Sequence, residues 1–229
     1  MPVGTSIIAT MKPALSLLLE VLPETTRAAP PARKLPPAPR AADPIPVEFL
    51  LHSLSKAMPE DAALVEEAPS HRPAMQQHMP MRGQDSFYTM TSGGLGYSLP
   101  AAVGLALGRP NRRTVCLIGD GSAMYSIQAL WTAAQRKLPL TVVVINNSGY
   151  GAMRSFSQVM QVRNVPGLDL PGLDFVKLAQ GHGCDAACVT KSSELAGALK
   201  QAFSHNGTSL IEVMVDSAVP MLYAQQGRT

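Results

Sequence analysis

Charged side chains are scarce in this 229-residue chain: Asp, Glu, Lys and Arg together make up 15% of it. Soluble domains usually carry roughly 25%. Apolar side chains reach 46%, which excludes a chain disordered throughout. So little charge fits a surface that is partly buried against another domain or subunit. Aromatics are also few, at 5%, and none is interleaved with a basic run. The net charge of +3 is scattered apart from Arg109, Arg112 and Arg113. No basic stripe for nucleic acid results, and that cluster reads as a solvated loop between a helix and a strand.

Cysteine is almost missing. Cys116, Cys184 and Cys188 are too few for a disulfide framework, and the C-x-x-x-C spacing of the last two lacks the second pair a zinc site needs. Cys116 falls in the apolar run 114–118 and reads as a packed core thiol. A reducing, cytoplasmic location is the expectation. No apolar run has membrane-spanning length either. The apolar stretch 6–22 is interrupted by Lys12-Pro13 and carries Glu20, so neither a secretory leader nor a membrane segment is expected.

Proline, by contrast, is concentrated. Positions 23, 30, 31, 36, 37, 39, 44 and 46 are all proline, which bars a continuous helix or ladder and predicts an extended connector. Residues 1–22 then form a small separate piece, 1–44 include the connector, and the main domain covers 45–229.

Within that domain the apolar period alternates. Val47, Leu50, Leu51 and Leu54 have helical spacing, while 62–65 and 87–90 read as short strands. A helix of small residues is expected over 99–107, with Pro100 in its first turn. Residues 114–118 and 140–145 are unbroken apolar runs, as strands buried on both faces require. Helical spacing runs from Ala123 to Ala134, helices are expected at 175–179 and 195–203, and a last strand at 209–215. This alternation predicts an α/β fold: a doubly wound, mostly parallel sheet with helices on both faces.

Chemistry concentrates in Gly119-Asp120-Gly121-Ser122 and, after 24 intervening residues from Gly121, in Asn146-Asn147. Both segments end buried strands and so reach the same edge of the sheet, where open α/β sheets bind ligands. Gly121 allows close approach to the backbone, and the free N–H groups of a following helix suit an anion such as a diphosphate. One carboxylate and one amide oxygen make a weak metal site. That suits Mg²⁺, which keeps water and takes further oxygens from phosphate. Asp120 supplies charge, Asn147 a neutral oxygen, and the backbone carbonyl of Gly149 a third ligand.

These residues resemble the thiamine-diphosphate motif. Ser92-Gly93-Gly94-Leu95-Gly96, Leu99-Pro100-Ala101-Ala102, Ala129-Leu130-Trp131-Thr132-Ala133-Ala134, Tyr150-Gly151-Ala152-Met153-Arg154 and Asn164-Val165-Pro166-Gly167-Leu168-Asp169 are similar to the benzoylformate decarboxylases. The resemblance covers roughly 45–216, and residues 1–22 look like the end of that family's middle domain. It implies thiamine diphosphate and Mg²⁺ as cofactors and a 2-oxo acid as substrate, with Asp120, Asn147 and the Gly149 carbonyl on the metal. Ser70, Ser122 and Tyr150 match diphosphate contacts. Gly121 matches the backbone approach, the Gly93 carbonyl the acceptor for the cofactor's amino group, and Leu95 the side chain that bends the cofactor. Ala152, Met153 and Phe156 match the substrate pocket.

Two departures stand out. Pro69 replaces a residue that often carries a hydroxyl, and Gly149 stands where Thr is common. The family takes its activating glutamate from a pyrimidine-binding domain and its acid–base histidines from there or the middle domain. None matches a residue here, so no catalytic residue is assigned to this chain. A pyrimidine-binding domain, in the same or another chain, and a homo-oligomer are the implied partners. His71, near the diphosphate loop, has two readings, contact with the site and, preferred, a surface or packing role. Two other readings of the chain remain: an acetolactate-synthase-like carboligase domain, and a cofactor-binding or interaction module without catalysis of its own.

Overall fold

The computed structural model describes residues 4–222 except Thr25, Pro30 and Ala32. The outermost residues of both expected segments, and Pro30 of the proline-rich stretch, lie outside the described residues. By its internal contacts the chain divides into two units, Met1–Lys34 and Leu35–Thr229.

In the first unit, helix α1 (Met11–Val21) was not visible as a period in the sequence. Pro13 is tolerated because it lies in the first turn, where an N–H has no helical partner. None of the residues of α1 is buried.

The second unit is built on one six-stranded sheet, β1 (Ala63–Glu67), β2 (Phe87–Thr89), β3 (Thr114–Gly119), β4 (Leu140–Asn146), β5 (Asp185–Val189) and β6 (Ser209–Met214). Its order is β2-β1-β3-β4-β6-β5 and every pairing is parallel. Alternate side chains of the buried strands feed two cores. Val115, Leu117, Val143, Ile145, Ile211 and Val213 pack with Leu50, Leu51 and Leu54 of α2 (Val47–Ala57) and with Leu195 and Leu199 of α9 (Ser192–Ser204). Cys116, Ile118, Val142, Val144 and Leu210 face the other way. They pack with Leu99 and Val103 of α4 (Ser98–Gly108), Leu130 of α6 (Ala129–Gln135) and Phe175 of α8 (Phe175–Gly181). The expected α/β architecture with helices on both faces is present, and the sheet is wholly parallel.

Local differences have physical causes. The helical period from Ala123 to Ala134 spans two helices, α5 (Asp120–Ala123) and α6, separated by turns over 124–128. Arg113 is not simply solvated, because its guanidinium donates to the carbonyls of His205 at 2.7 Å and Gly207 at 3.2 Å. Strand β1 runs on to Glu66 and Glu67, both fully buried. Helices α3 (Arg72–His78) and α7 (Gly151–Val159), and strand β5, had no sequence-level expectation.

The strand order fixes where a ligand can sit. The chain leaves β1 towards β2 on one side, and leaves β3 towards β4 on the other. Loops that diverge in this way open a crevice at the carboxyl ends of β1 and β3.

Candidate functional site

That crevice is a cleft of ≈ 290 Å³. Ala68, Pro69, Ser70, His71 and Arg72 follow β1; Gly119, Asp120, Gly121 and Ser122 end β3; Asn147, Gly149, Tyr150, Ala152 and Met153 follow β4. Met90, Gly93 and Leu95 complete the wall. All the expected cofactor-contacting and metal-ligating residues line this cleft. Of the expected substrate residues Ala152 and Met153 line it, whereas Phe156 lies further along α7 and is 44% exposed.

Asp120 is buried at the start of α5. Its Oδ1 accepts from the N–H of Gly121 at 2.7 Å and its Oδ2 from the N–H of Gly149 at 2.9 Å. Burial pushes its carboxyl above the usual range, and the N–H donors of Gly121 and Gly149, with the charge of Arg154, pull it back. A cation in the cleft would favour the carboxylate further.

The turn after β4 is assembled around Asn146. Its Nδ2 donates to Glu212 Oε1 of β6 at 2.7 Å, while its Oδ1 accepts from Ser148 N at 2.9 Å. Ser148 takes a left-handed φ of 57°, which turns the backbone so that Gly149 meets Asp120. Tyr150 N then donates to Leu168 O at 2.9 Å. A Cβ at Gly149 would run into that same carbonyl and into the Arg154 guanidinium. Glycine is therefore demanded here by crowding, which accounts for the departure noted in the sequence.

Crowding also explains Gly121 and Gly151. A Cβ on Gly121 would lie 2.7 Å from Cδ1 of Tyr150, whose ring rests on that backbone. A Cβ on Gly151 would lie 2.8 Å from Asn147 Nδ2 and 2.9 Å from Ser70 Oγ. Ser70 Oγ accepts from Ala152 N at 2.8 Å, tying the loop after β1 to α7. Asn147 is buried, and among the described residues its Nδ2 has no hydrogen-bond partner.

These observations bear on a Mg²⁺–diphosphate group. Asp120 is a buried carboxylate with oxygen lone pairs left over, and Asn147 is a buried amide beside it in the same cleft. Beside Asp120 the backbone of Gly119 is open, a Cβ there lying 3.9 Å from Ser122 Oγ, whereas the Tyr150 ring covers Gly121 and Leu168 O and Arg154 crowd Gly149. Among the described residues no three His, Cys, Asp or Glu side chains cluster to hold a metal. A hard cation with one carboxylate must then draw oxygens from its ligand, which is how Mg²⁺ binds phosphates. The residues fit the group.

His71 lines the cleft, the less favoured of the two readings of it in the sequence. It is 3% exposed, both ring nitrogens lack partners among the described residues, and burial lowers its pKa to about 4. Arg72 was missed; its Nη2 lies 3.0 Å from Glu66 Oε2, and Thr89 Oγ1 donates to the same carboxylate at 3.0 Å. The Pro-Ser-His-Arg segment carries no periodic signal that would have placed these side chains.

Known proteins resemble this chain in sequence and in fold. The family model described as "Thiamine pyrophosphate enzyme, C-terminal TPP binding domain" matches residues 68–213. The chain is 39% identical over 220 residues to benzoylformate decarboxylase of Pseudomonas aeruginosa, covering 96% of this chain and 42% of that protein. It is 32% identical over 176 residues to the acetolactate synthase isozyme 2 large subunit of Escherichia coli, covering 76% of this chain and 32% of that one. The crystal structure of benzoylformate decarboxylase from Polynucleobacter necessarius superposes with a TM-score of 0.86 at 39% identity, over 91% of this chain and 40% of that one. The chain thus spans about two-fifths of the length of the decarboxylases it matches.

Proposed function

The chain belongs to the family of thiamine pyrophosphate enzyme C-terminal TPP-binding domains, and from that premise we propose that it binds thiamine diphosphate and Mg²⁺ as part of a benzoylformate-decarboxylase-like enzyme. The observation that carries this reading is the convergence of Asp120, Asn147 and Gly149 with Ser70 and Leu95 on one cleft at the switch point of the sheet. The reaction is non-oxidative decarboxylation of an aromatic 2-oxo acid to an aldehyde and CO₂.

Each residue has a place in this reading. Asp120, Asn147 and the Gly149 carbonyl hold Mg²⁺, and Ser70, Ser122, Tyr150 and the Gly121 backbone receive the diphosphate. The Gly93 carbonyl would accept from the amino group of the cofactor, and Leu95 would support its rings. Ala152, Met153 and Phe156 border the substrate. When bound, the cofactor supplies the electron sink for loss of CO₂, and the protein supplies orientation and electrostatics. Residues 1–44 are the tail of a preceding domain and a connector, and 45–229 the binding domain. A pyrimidine-binding domain, in the same or another chain, completes the site, and the assembly is a homo-oligomer in the cytoplasm. Its three cysteines are free, as a reducing compartment requires.

An acetolactate-synthase-like carboligase is the second reading, favoured by the similarity to the Escherichia coli large subunit. The Trp131-Thr132-Ala133-Ala134 and 164–169 segments favour the decarboxylase. Calorimetric titration with thiamine diphosphate, with and without Mg²⁺, tests the binding reading. Mg²⁺-dependent binding supports it. Benzoylformate turnover after addition of a pyrimidine-binding domain, against condensation of pyruvate, separates the two enzymes.

A further inference from the structure

Glu67 is the last residue of β1 and is completely buried, yet it does not line the cleft. Its carboxylate reaches the segment before α4: Oε1 accepts from Gly96 N at 2.7 Å and Oε2 from Ser98 N at 2.6 Å. Both are short bonds from backbone donors to carboxyl oxygens. Ser98 is the first residue of α4, so Glu67 satisfies an N–H that the helix itself leaves open, from a different element. Among the described residues no ion pair involves Glu67.

The segment it holds has little else to fix it. Residues 91–94 are exposed, and Gly93 and Gly96 take φ values of 75° and 95°. Among the described residues, the hydrogen bonds of 91–98 to the sheet through the backbone are those two. Leu95 and Gly93 sit on this same turn and line the cleft together with Asp120 and Asn147. The anion end of the cleft, by contrast, is held by the bonds of Asp120 to Gly121 and Gly149 and of Ser70 to Ala152. The two ends are thus anchored by separate sets of residues.

We propose that Glu67 is a positioning residue: by clamping Gly96 N and Ser98 N it fixes the turn that presents Gly93 and Leu95 to the ring portion of the cofactor. This rests on the cofactor reading given above and adds to it a division of labour. Losing Glu67 should weaken recognition of the rings and leave recognition of the diphosphate intact. A glutamine at this position keeps the volume, but its amide group cannot accept from both N–H groups, so one of them faces a donor.

The test is an NMR titration of the ¹⁵N-labelled chain with Mg²⁺ plus inorganic pyrophosphate and, separately, Mg²⁺ plus thiamine diphosphate. For Glu67→Gln, pyrophosphate affinity should stay within about twofold of the unsubstituted chain, while thiamine diphosphate binds about tenfold more weakly. The Gly96 and Ser98 amides should also exchange with solvent faster, with those of β3 and β4 unchanged. Leu95→Ala, which leaves both Glu67 bonds in place, should show the same selective loss without the faster exchange. Should Glu67→Gln not fold, Glu67→Asp, one methylene shorter and able to keep one of the two bonds, carries the same comparison. Equal weakening of both ligands, or of neither, overturns the positioning role. An unsubstituted chain that binds neither ligand, alone or with a pyrimidine-binding domain added, overturns the cofactor reading itself, and the positioning role falls with it.

Discussion

Gly149 N donates to Asp120 Oδ2 at 2.9 Å, so the turn that follows β4 is latched to the residue that ends β3. With Gly121 N on Oδ1, both oxygens of one carboxylate organise backbone from two loops. Each oxygen retains a lone pair for a cation.

Asp120→Ala should remove the Mg²⁺-dependent part of thiamine diphosphate binding while the sheet stays folded. Because the Gly121 and Gly149 N–H groups lose their acceptor, stability should drop by about 1–3 kcal/mol. Calorimetry and urea unfolding of the same variant read both effects. Undiminished affinity would sink the metal assignment.

Gly121→Ala should strain the site through the Tyr150 ring, which lies where the new Cβ must go. A loss of about 1–3 kcal/mol is expected from such overpacking. Adding Tyr150→Ala should recover most of it. A double-mutant cycle in urea with no coupling between the two substitutions would show that the ring yields freely.

Acid should weaken the fold through His71. Its pKa falls from the ordinary 6.5 to about 4 on folding, so the unfolded chain binds the proton more tightly. The stability this group protects is intact above pH 6.5 and is lost as pH drops towards 4, by at most about 3 kcal/mol. His78, lowered by burial and by neighbouring His52, adds in the same sense. Urea midpoints at pH 7 and pH 4.5 should therefore differ more for the unsubstituted chain than for His71→Phe. Equal differences in the two proteins would reject this assignment.

The cysteines should separate by accessibility. Burial pushes the thiol of Cys116 to about 12 and that of Cys184 to about 11, whereas Cys188 is exposed on β5. A thiol reagent should modify Cys188 in the native chain and the other two only after unfolding. Mass spectrometry of the labelled peptides checks this, and native labelling of Cys116 would contradict the packing described.

The parts of the fold that were legible in sequence were those whose signal is local. Strands β3, β4 and β6 are unbroken apolar runs because both of their faces are covered. Strand β5 escaped notice because Asp-Ala-Ala-Cys-Val lies at the sheet edge with only Val189 buried. Helix α7 does carry a helical period in Met153, Phe156 and Val159, but Gly149 and Gly151 at its start make the segment look like a loop. The glycines and carboxylate of the cleft could be read from the motif and its place at strand ends. Glu66, Glu67 and His71 could not, since their partners or their isolation are set by segments distant in sequence. Two successive glutamates look like the solvated end of a strand until Arg72, Thr89, Gly96 and Ser98 are brought to them.

Strand β6 is last in chain order, yet it lies between β4 and β5, both of which precede it. During synthesis the earlier strands must wait with open edges for their common neighbour to emerge. A chain broken off ahead of residue 209 would expose one flank of the long apolar β4 and leave β5 without any partner. Unpaired flanks of that kind recruit other chains. Quality control of this protein should accordingly fall on its unfinished copies: early termination should yield aggregates, with no shorter working version of the sheet.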